Sequence, residues 1–333
     1  MTRSTAIGII GTGVIATQVH LPILAAMDDV EVAWIADANP AVARSVAEIH
    51  GLSAVPLDSD LSNLPQVDVV LLAIPLPPRP VYLEHYQKTT TALLVEKPLA
   101  NSAEQHRDIL GAFPSWQLSV GYQRRFYGSS LLVRSFIETG TLGPLRAVRV
   151  SEGGRTTRTD GAGQYQSLPV GSGGGIVKNL GCHALDLVLW LTSATGFRIR
   201  RREVAWDDET DQRCVATIDL DGFSGRPIEF EFALSWIDRM ENRIEFRFDG
   251  GILSCPIAPT TEIELLNPSG KPIATLSARG AARATTPRQA YFLEWRAMLD
   301  AVAARSPQPI SAGATLLCAE LMDALLARDP VST

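Results

Sequence analysis

The sequence predicts two domains, a doubly wound parallel α/β sheet followed by an α+β domain with a mostly antiparallel sheet. The first part of the chain alternates short, wholly apolar runs with helical patterns, which is typical of parallel strands buried on both faces. After about Gly121 the runs lengthen, and several alternate apolar and polar residues, as in a sheet with one packed face. A chain of 333 residues is also longer than one ordinary core needs.

In the predicted first domain, residues 1–121, short apolar runs are separated by helical stretches, so right-handed crossovers should give a doubly wound fold. We expect strands at Ala6–Ile10, Val30–Ala36, Val67–Ile74 and Ala92–Val95, and helices at Val14–Met27 and Pro40–His50.

The predicted second domain, residues 122–333, combines longer strands with helices, and its C-terminal helices are candidates to pack back on the first domain. The segment Ile244–Phe248 shows the alternation most clearly. We expect strands at Leu145–Glu152, Glu203–Trp206, Arg213–Asp219, Pro227–Trp236, Arg243–Phe248 and Glu262–Leu266. We expect helices at Ser129–Thr139, His183–Leu191, Gln289–Ala304 and Ala312–Ala327.

Composition excludes several classes of protein. The net charge is −6 and the basic residues are scattered, which argues against nucleic-acid and membrane partners. No apolar run approaches the ~20 residues that a membrane-spanning helix requires. The four cysteines lie far apart, which predicts neither a disulfide framework nor a metal site. We therefore expect a reduced, cytoplasmic protein.

The segment Gly11–Ala16 is a G-x-G-x-x-A fingerprint between a predicted strand and a predicted helix. Gly11 permits the tight turn, Gly13 lets the backbone approach a pyrophosphate, and the helix that opens at Val14 and Ile15 faces the phosphates. This context predicts a Rossmann dinucleotide site. The alternative is a glycine-rich turn without a ligand.

The second predicted strand leads to Asp37, about twenty residues beyond the fingerprint, where a carboxylate binds the adenosine ribose hydroxyls. The same carboxylate repels a 2′-phosphate, and Ala38-Asn39-Pro40 supplies no arginine. The pattern favours NAD(H) over NADP(H). Alternatively Asp37 is a turn or N-cap residue, a role compatible with ribose binding.

Three further segments carry a resemblance to a known family. They are Leu94–Leu99 with its Glu-Lys-Pro element, Gly121–Phe126, and Gly173–Asp186, a glycine-rich approach to a helix that carries a histidine. Together with the fingerprint they resemble the Gfo/Idh/MocA oxidoreductases over nearly the whole chain. The resemblance implies a small-molecule substrate, namely a sugar, a cyclitol or a related polyol or keto-sugar.

The resemblance implies that Lys97 binds the substrate oxygen and that His183 exchanges the proton. Histidine suits proton exchange near neutral pH, and an ammonium group stabilises a developing alkoxide. The alternatives are a solvated lysine at a strand end and a helix N-terminal histidine with local hydrogen bonds. On the cofactor side the resemblance adds Ile74, Pro75, Glu96 and Lys97. The remaining histidines lack such context and are assigned surface or packing roles: His20, His50, His85 and His106.

Two positions depart from the family pattern. Asn179 replaces the usual aspartate four residues before His183, which removes a negative charge unless Asp186 supplies one. We hypothesise that Asn179 contacts the substrate and that the enzyme works mainly as a ketoreductase. The segment Ile74–Arg79 replaces the family's Thr-Pro-Asn-x-x-His, so Pro75 is kept but the polar contacts of the asparagine and histidine are expected to be lost.

Further residues are candidates for the substrate side. Tyr122 is expected to form a wall of the pocket. Arg124 and Arg125 stand where the family has a substrate-side or structural arginine, with interdomain ion pairing as the alternative. The loop 152–169 is expected to cover the substrate, and either it sets specificity or it is a surface loop. Its candidate residues are Arg155, Arg158, Asp160 and Tyr165.

Two other function classes remain open from the sequence. One is a glycoside hydrolase that uses bound NAD, as in some proteins that resemble this family. The other is a non-enzymatic nucleotide sensor, for which the pair Lys97 and His183 would have no purpose. The resemblance also implies a homodimer or homotetramer formed through the open face of the second sheet.

Overall fold

The structure, a computed structural model, describes residues 4–155, 173–222, 225–278 and 284–328. The chain divides into two compact units. The first comprises Met1–Gly121 with Tyr291–Thr315, and the second comprises Tyr122–Ala290 with Leu316–Thr333. The chain passes between the units within α7 (Pro287–Ala304) and again within α8 (Ala312–Leu326).

A five-stranded parallel sheet forms the centre of the first unit, with the strand order β2-β1-β3-β4-β5. Its strands β3 and β4 are buried along their whole length, as apolar strands covered on both faces must be. The strands are β1 (Thr5–Ile10), β2 (Val30–Ala36), β3 (Val69–Leu72), β4 (Ala92–Glu96) and β5 (Leu118–Gly121). The helices are α1 (Leu21–Leu24), α2 (Pro40–His50), α3 (Arg79–Tyr86) and α4 (Ala103–Ile109).

The predicted parallel α/β class is confirmed, and β2 and α2 agree with the prediction to the residue. The helix after the fingerprint differs, because it contains a π segment, Ala16–His20, and ends at Leu24 rather than Met27. The strand predicted at Val67–Ile74 is shorter at both ends. Helix α3 escaped prediction because its proline-rich start resembles a loop, although proline is tolerated in a first helical turn.

The sheet order reverses direction at β1, whose neighbours are β2 and β3. In open α/β sheets a ligand binds beyond the carboxyl ends of the strands, at the point where the order reverses. The segments after β1, β2, β3 and β4 therefore lie at the edge where a ligand is expected.

An eight-stranded sheet dominates the second unit, with the order β13-β12-β11-β10-β6-β9-β8-β7. Strands β6 and β9 pair in parallel and the other neighbours pair antiparallel, so the prediction of a mostly antiparallel sheet is confirmed. The strands are β6 (Leu145–Gly153), β7 (Gly196–Asp207), β8 (Thr210–Asp221), β9 (Ile228–Ser235), β10 (Arg243–Phe248), β11 (Gly251–Pro256), β12 (Glu262–Leu266) and β13 (Pro272–Ser277).

The alternation predicted for β10 is confirmed, because Ile244, Phe246 and Phe248 are buried while Arg247 between them is exposed. The first half of β7 was missed because its arginines suggest a loop. In the sheet Arg198 and Arg200 are exposed and pair with Asp219 on β8, and Arg201 pairs with Glu203 on β7 itself. Strands β11 and β13 were also not predicted.

The helices of the second unit include α5 (Gly128–Thr139) and α6 (Cys182–Thr192). Helix α6 continues a π segment, Val177–Gly181, so the predicted helix at His183–Leu191 begins earlier than expected. Gly181 packs closely on the sheet, since a Cβ there would lie 2.6 Å from Leu234 Cδ1. Among the helices in the described part of the chain, none is long and apolar enough to cross a membrane.

Candidate active site

The turn after β1 has the features that the fingerprint predicts. Gly11 has φ +95° and lies so close to β3 that a Cβ would be 2.4 Å from the Ala73 carbonyl oxygen. Gly13 is exposed, and a Cβ there would meet no atom within 4 Å. Ala16 is fully buried in the core, which lets the helix approach the sheet. The open space at Gly13 fits the pyrophosphate of a dinucleotide.

Asp37 fixes this turn from the neighbouring strand. Its Oδ2 accepts hydrogen bonds from the Thr12 backbone nitrogen at 2.8 Å and from Thr12 Oγ1 at 2.9 Å. Its Oδ1 accepts from the Asn39 nitrogen at 2.9 Å. The carboxylate is half-buried and lies beside the glycine turn. Asn39, not Asp37, is the N-cap of α2, because its side chain accepts from the Ala41 nitrogen.

Lys97 follows β4, is half-buried, and precedes Pro98 through a cis peptide bond. Its backbone nitrogen donates to Glu96 Oε2 at 3.2 Å. The other oxygen of Glu96 lies 2.9 Å from His20 Nε2. Trp295 Nε1 donates to His20 Nδ1 at 2.9 Å, and because an indole nitrogen can only donate, His20 carries its proton on Nε2. A buried chain of hydrogen bonds thus runs from Trp295 to the backbone of Lys97.

The surroundings of Glu96 stabilise the charged form of its carboxyl group. Burial alone would raise the pKa of Glu96, but the hydrogen bond from His20 and the positive charges of Lys97 and Arg79 outweigh it. The pKa of the carboxyl is therefore below its usual value. Glu96 is 7% exposed, and its carboxylate contacts the Lys97 segment through the backbone nitrogen of Lys97.

Arg79 connects the segments after β3 and β4. Its Nε and Nη2 donate to the Ile74 carbonyl oxygen at 3.0 and 2.8 Å. Its Nη1 donates to the carbonyl oxygens of Glu96, at 2.5 Å, and of Pro98. Loss of polar contacts was expected at this departure from the family pattern. That loss stays a prediction, and Arg79 supplies contacts to backbone carbonyls that sequence reasoning did not predict.

In the second unit, Asn179 and His183 lie on one continuous helical segment. Asn179 belongs to the π segment and is half-buried, and His183 lies in the first turn of α6 and is 9% exposed. Residues four apart on a helix are neighbours on the same face. The approach to this segment contains Gly173 and Gly175, both with φ +87°, a conformation that favours glycine.

Asp211 caps the start of the same segment. Its Oδ2 accepts a hydrogen bond from the Val177 backbone nitrogen at 2.8 Å. Burial raises the pKa of Asp211 to about 6, although hydrogen bonds from the backbone and the charge of Lys178 oppose that rise. The cap fixes the helix end that precedes Asn179.

Tyr122 packs against His183. The two rings meet edge to face, with centroids 6.1 Å apart and planes at 87°. The tyrosine hydroxyl lies 3.9 Å from Cys318 Sγ, and burial raises the Tyr122 pKa well above its usual value, so the hydroxyl stays protonated. These contacts place Tyr122 against the candidate histidine, with its hydroxyl at a buried thiol.

The two arginines after Tyr122 form buried ion pairs. Arg124 donates to both carboxylate oxygens of Glu152, at 2.9 and 2.6 Å. Arg125 donates to both oxygens of Asp186, at 2.9 and 2.5 Å. All four residues belong to the second unit, so these pairs are not the interdomain pairs that the sequence left open. Asp186 is held by Arg125.

Part of the predicted substrate loop can be located. Arg155 is exposed and donates to the Ile237 carbonyl oxygen at 3.2 Å. Arg158, Asp160 and Tyr165 lie outside the described residues. Across the described ranges, no group of three or more histidine, cysteine, aspartate or glutamate side chains could hold a metal ion.

The structure brings Asp37 to the glycine turn and joins Ile74 to the Lys97 segment through Arg79, at one edge of the first sheet. Sequence reasoning missed Thr12, Arg79 and Asp211, and it assigned His20 a surface or packing role. His20 is fully buried in a hydrogen-bonded chain. No local pattern could reveal that role, because its partners Glu96 and Trp295 are 76 and 275 residues away.

Comparisons with known proteins agree with this arrangement. Residues 5–122 match the NAD-binding Rossmann-fold domain of the GFO_IDH_MocA oxidoreductase family. Residues 131–254 match the GFO/IDH/MocA C-terminal domain. Inositol 2-dehydrogenase from Rhizobium meliloti is 26% identical over 186 residues, which are 55% of this chain and 54% of that protein. The match thus spans about half the length of that curated relative.

Solved structures show the same fold over nearly the whole chain. An oxidoreductase from Agrobacterium radiobacter, in complex with NAD+, L-tartaric acid and magnesium, has a TM-score of 0.77 at 17% identity and covers 96% of this chain and 95% of its own. A 3-ketoreductase from Actinomadura kijaniata, in complex with NADP and TDP-benzene, has a TM-score of 0.79 at 18% identity, with 97% of both chains covered. The chain belongs to the Gfo/Idh/MocA oxidoreductase family.

Proposed function

We propose that the protein is an NAD(H)-dependent oxidoreductase that acts on a sugar, a cyclitol or a related polyol, or on its keto form. One observation carries the proposal. The open glycine turn after β1 lies at the same edge of one parallel sheet as the Lys97 segment after β4, which is hydrogen-bonded to Arg79. That edge is where ligands bind in such folds. The inositol dehydrogenase and the 3-ketoreductase described above support the substrate class.

The proposed preference for NAD(H) rests on Asp37. Its carboxylate lies next to the glycine turn, bound to Thr12, where it would accept hydrogen bonds from ribose hydroxyls. A 2′-phosphate would meet its negative charge at short range. The solved relatives are complexes with NAD+ in one case and NADP in the other, so the family alone does not decide the cofactor.

In the proposed mechanism the glycine turn and Asp37 would hold the dinucleotide, whose nicotinamide would supply hydride transfer to or from the substrate carbon. The Lys97 ammonium binds the substrate oxygen and stabilises the alkoxide charge that develops on it. The His183 imidazole exchanges the hydroxyl proton, and the Tyr122 ring packed on its edge restricts its orientation. The Asn179 amide, on the same helix face, binds a substrate hydroxyl.

We further propose that carbonyl reduction is the main direction. Asn179 brings no negative charge to His183, and Arg125 holds Asp186 through both oxygens. An aspartate at position 179 would favour the imidazolium form of His183, and Asn179 supplies no such charge. The resemblance to relatives also supports a homodimer or homotetramer, and light scattering that found only a monomer would contradict it.

The test is turnover with a panel of sugars, cyclitols and keto-sugars, followed by kinetics of Lys97→Ala and His183→Ala. Each variant should lower kcat by about 10²–10⁴, as expected for losing electrostatic or acid–base help. The Kd for NADH should change little for His183→Ala, because His183 is not proposed to hold the dinucleotide. For Lys97→Ala the Kd for NADH should change much less than kcat, because the main proposed role of Lys97 is at the substrate oxygen. Near-full turnover by either variant would refute the role of that residue.

A further inference from the structure

Arg79 is a buried arginine at the first position of α3, with 3% of its surface exposed. Burying a charged group is costly unless polar partners replace water. Here backbone carbonyl oxygens surround its guanidinium. Those of Ile74, Glu96, Pro98 and Leu99 accept from it.

Two of these acceptors flank the proposed catalytic lysine in the sequence. Glu96 immediately precedes Lys97 and Pro98 immediately follows it, and both carbonyls accept from the same nitrogen, Nη1. The opposite side of the guanidinium holds Ile74 through two nitrogens. Since β3 and β4 are neighbouring strands, Arg79 joins the two segments that leave them at the ligand edge.

The chemistry of arginine explains why this residue type stands here. A guanidinium presents five N–H donors in a planar fork, so it can bind carbonyls in different directions at once. An imidazole, which the family pattern would supply at this position, has only two ring nitrogens. The nearby Glu96 carboxylate adds a favourable charge, and Arg79 in turn helps to lower the Glu96 pKa.

We propose that Arg79 is a positioning residue that fixes the Lys97 backbone, and with it the lysine ammonium, relative to the Ile74–Pro75 segment. The inference rests on the proposed function of Lys97. Under this proposal Arg79 acts on Lys97 and does not itself contact the substrate or the reacting atoms. Its effect on turnover must therefore pass through Lys97.

A double-mutant cycle tests this dependence. With the most active compound of the panel, Arg79→Met should lower kcat by about 10- to 100-fold, because small misplacements of a catalytic group are costly. In the Lys97→Ala background the same change should lower kcat less than about twofold, since the group it positions is gone. Arg107→Met, on the exposed face of α4, is the matched control and should keep kcat.

The outcomes separate the inference from the proposed function. If Lys97→Ala alone keeps full turnover, the proposed function of Lys97 fails, and the positioning role that rests on it is overturned as well. If Lys97→Ala lowers kcat but the two effects multiply, the proposed function stands and the positioning role is overturned. A merely structural role would multiply in this way, because loss of folded protein does not depend on Lys97.

If Arg79→Met is poorly soluble, Arg79→Lys provides a second variant that tests the positioning role. A lysine retains the positive charge, but it lacks the planar fork of the guanidinium that binds the carbonyl oxygens of Ile74 and Glu96 at the same time. Hydrogen exchange in the peptide that contains Lys97 and Leu99 should become faster, while exchange in the Gly11–Ala16 turn should not change. Unchanged exchange around Lys97 would overturn the inference.

Discussion

At the scale of single residues, Asp37 serves both the fold and the proposed cofactor preference. Its Oδ2 holds the Thr12 backbone and side chain, so it shapes the glycine turn as well as presenting a charge. A substitution of Asp37 therefore removes both the hydrogen bonds to Thr12 and the negative charge. A substitution of Thr12 separates these two effects.

Asp37→Ala should narrow the gap between the Kd values for NADH and NADPH, because the repulsion of the 2′-phosphate disappears. Thr12→Val removes only the hydrogen bond from the Thr12 hydroxyl and keeps the charge of Asp37, so it should weaken the binding of NADH and NADPH to the same extent. Fluorescence titration of both cofactors measures these values. An unmodified protein that binds NADPH at least about tenfold (~1.4 kcal/mol) more tightly than NADH would contradict the assignment.

The proposal that carbonyl reduction is the main direction of the reaction rests on Asn179. Asn179→Asp would add a negative charge four residues before His183 and favour the imidazolium form of the histidine. Initial rates should then rise for alcohol oxidation relative to carbonyl reduction, and the pH profile for oxidation should shift. The equilibrium itself cannot change, so the rates must be measured far from it.

The matched control is Asn179→Ala, which removes the amide without adding charge and should alter KM while leaving the pH profile in place. If Asn179→Asp behaves in the same way as this control, Asn179 binds a substrate hydroxyl and does not tune His183. That result would retire the ketoreductase proposal and leave the oxidoreductase proposal standing.

At the scale of elements, both units place their candidate residues next to a π segment. The segment Ala16–His20 brings His20 to Glu96, and Val177–Gly181 carries Asn179. π segments are frequent at functional sites, since they break the regular helix and redirect side chains. The second one begins at the carboxylate of Asp211, whose ionisation is costly because it is buried.

The Asp211 cap predicts a pH dependence of stability. Its pKa rises from 3.8 to about 6 in the folded protein, so folding favours the protonated form. That stabilisation is present in full below about pH 3.8 and is lost as the pH rises through 6. Asp211→Asn keeps an oxygen for the Val177 N–H but never ionises, so relative to the unmodified protein it should gain stability with rising pH, by at most ~3 kcal/mol.

Thermal unfolding at pH 4 to 8 measures this effect. The Tm difference between Asp211→Asn and the unmodified protein should be smallest near pH 4 and grow up to about pH 7. Asp300→Asn, at an exposed site on α7, provides the control for losing one carboxylate. A Tm difference that stays constant with pH would show that the ionisation of Asp211 does not oppose folding.

At the scale of the whole molecule, the fold was predictable because local signals repeat along the chain. The apolar runs of β1, β2 and β4 and the alternation of β10 come from burial patterns that need no distant information. The first half of β7 was not predicted, because its arginines suggest a loop, whereas in the sheet Arg198 and Arg200 pair with Asp219 on the neighbouring strand β8.

The candidate site was predictable only where a motif is contiguous. The glycine fingerprint, Lys97 and His183 stand in short patterns that the chain shows directly. The roles of His20 and Arg79 depend on partners brought close by the fold, so no periodicity or spacing announces them. Asp211 on β8 likewise accepts a hydrogen bond from Val177, which is 34 residues away in the sequence.

The most direct test of the proposed function follows the transferred hydrogen. NADH that carries deuterium at C4 of the nicotinamide ring, on each face in turn, is incubated with a keto-sugar or keto-cyclitol that the protein turns over. Mass spectrometry should find one deuterium on the new carbinol carbon for each NADH oxidised, from one face only. Product without deuterium from either face, or glycosidic cleavage without net oxidation of NADH, would contradict hydride transfer as the function of this protein.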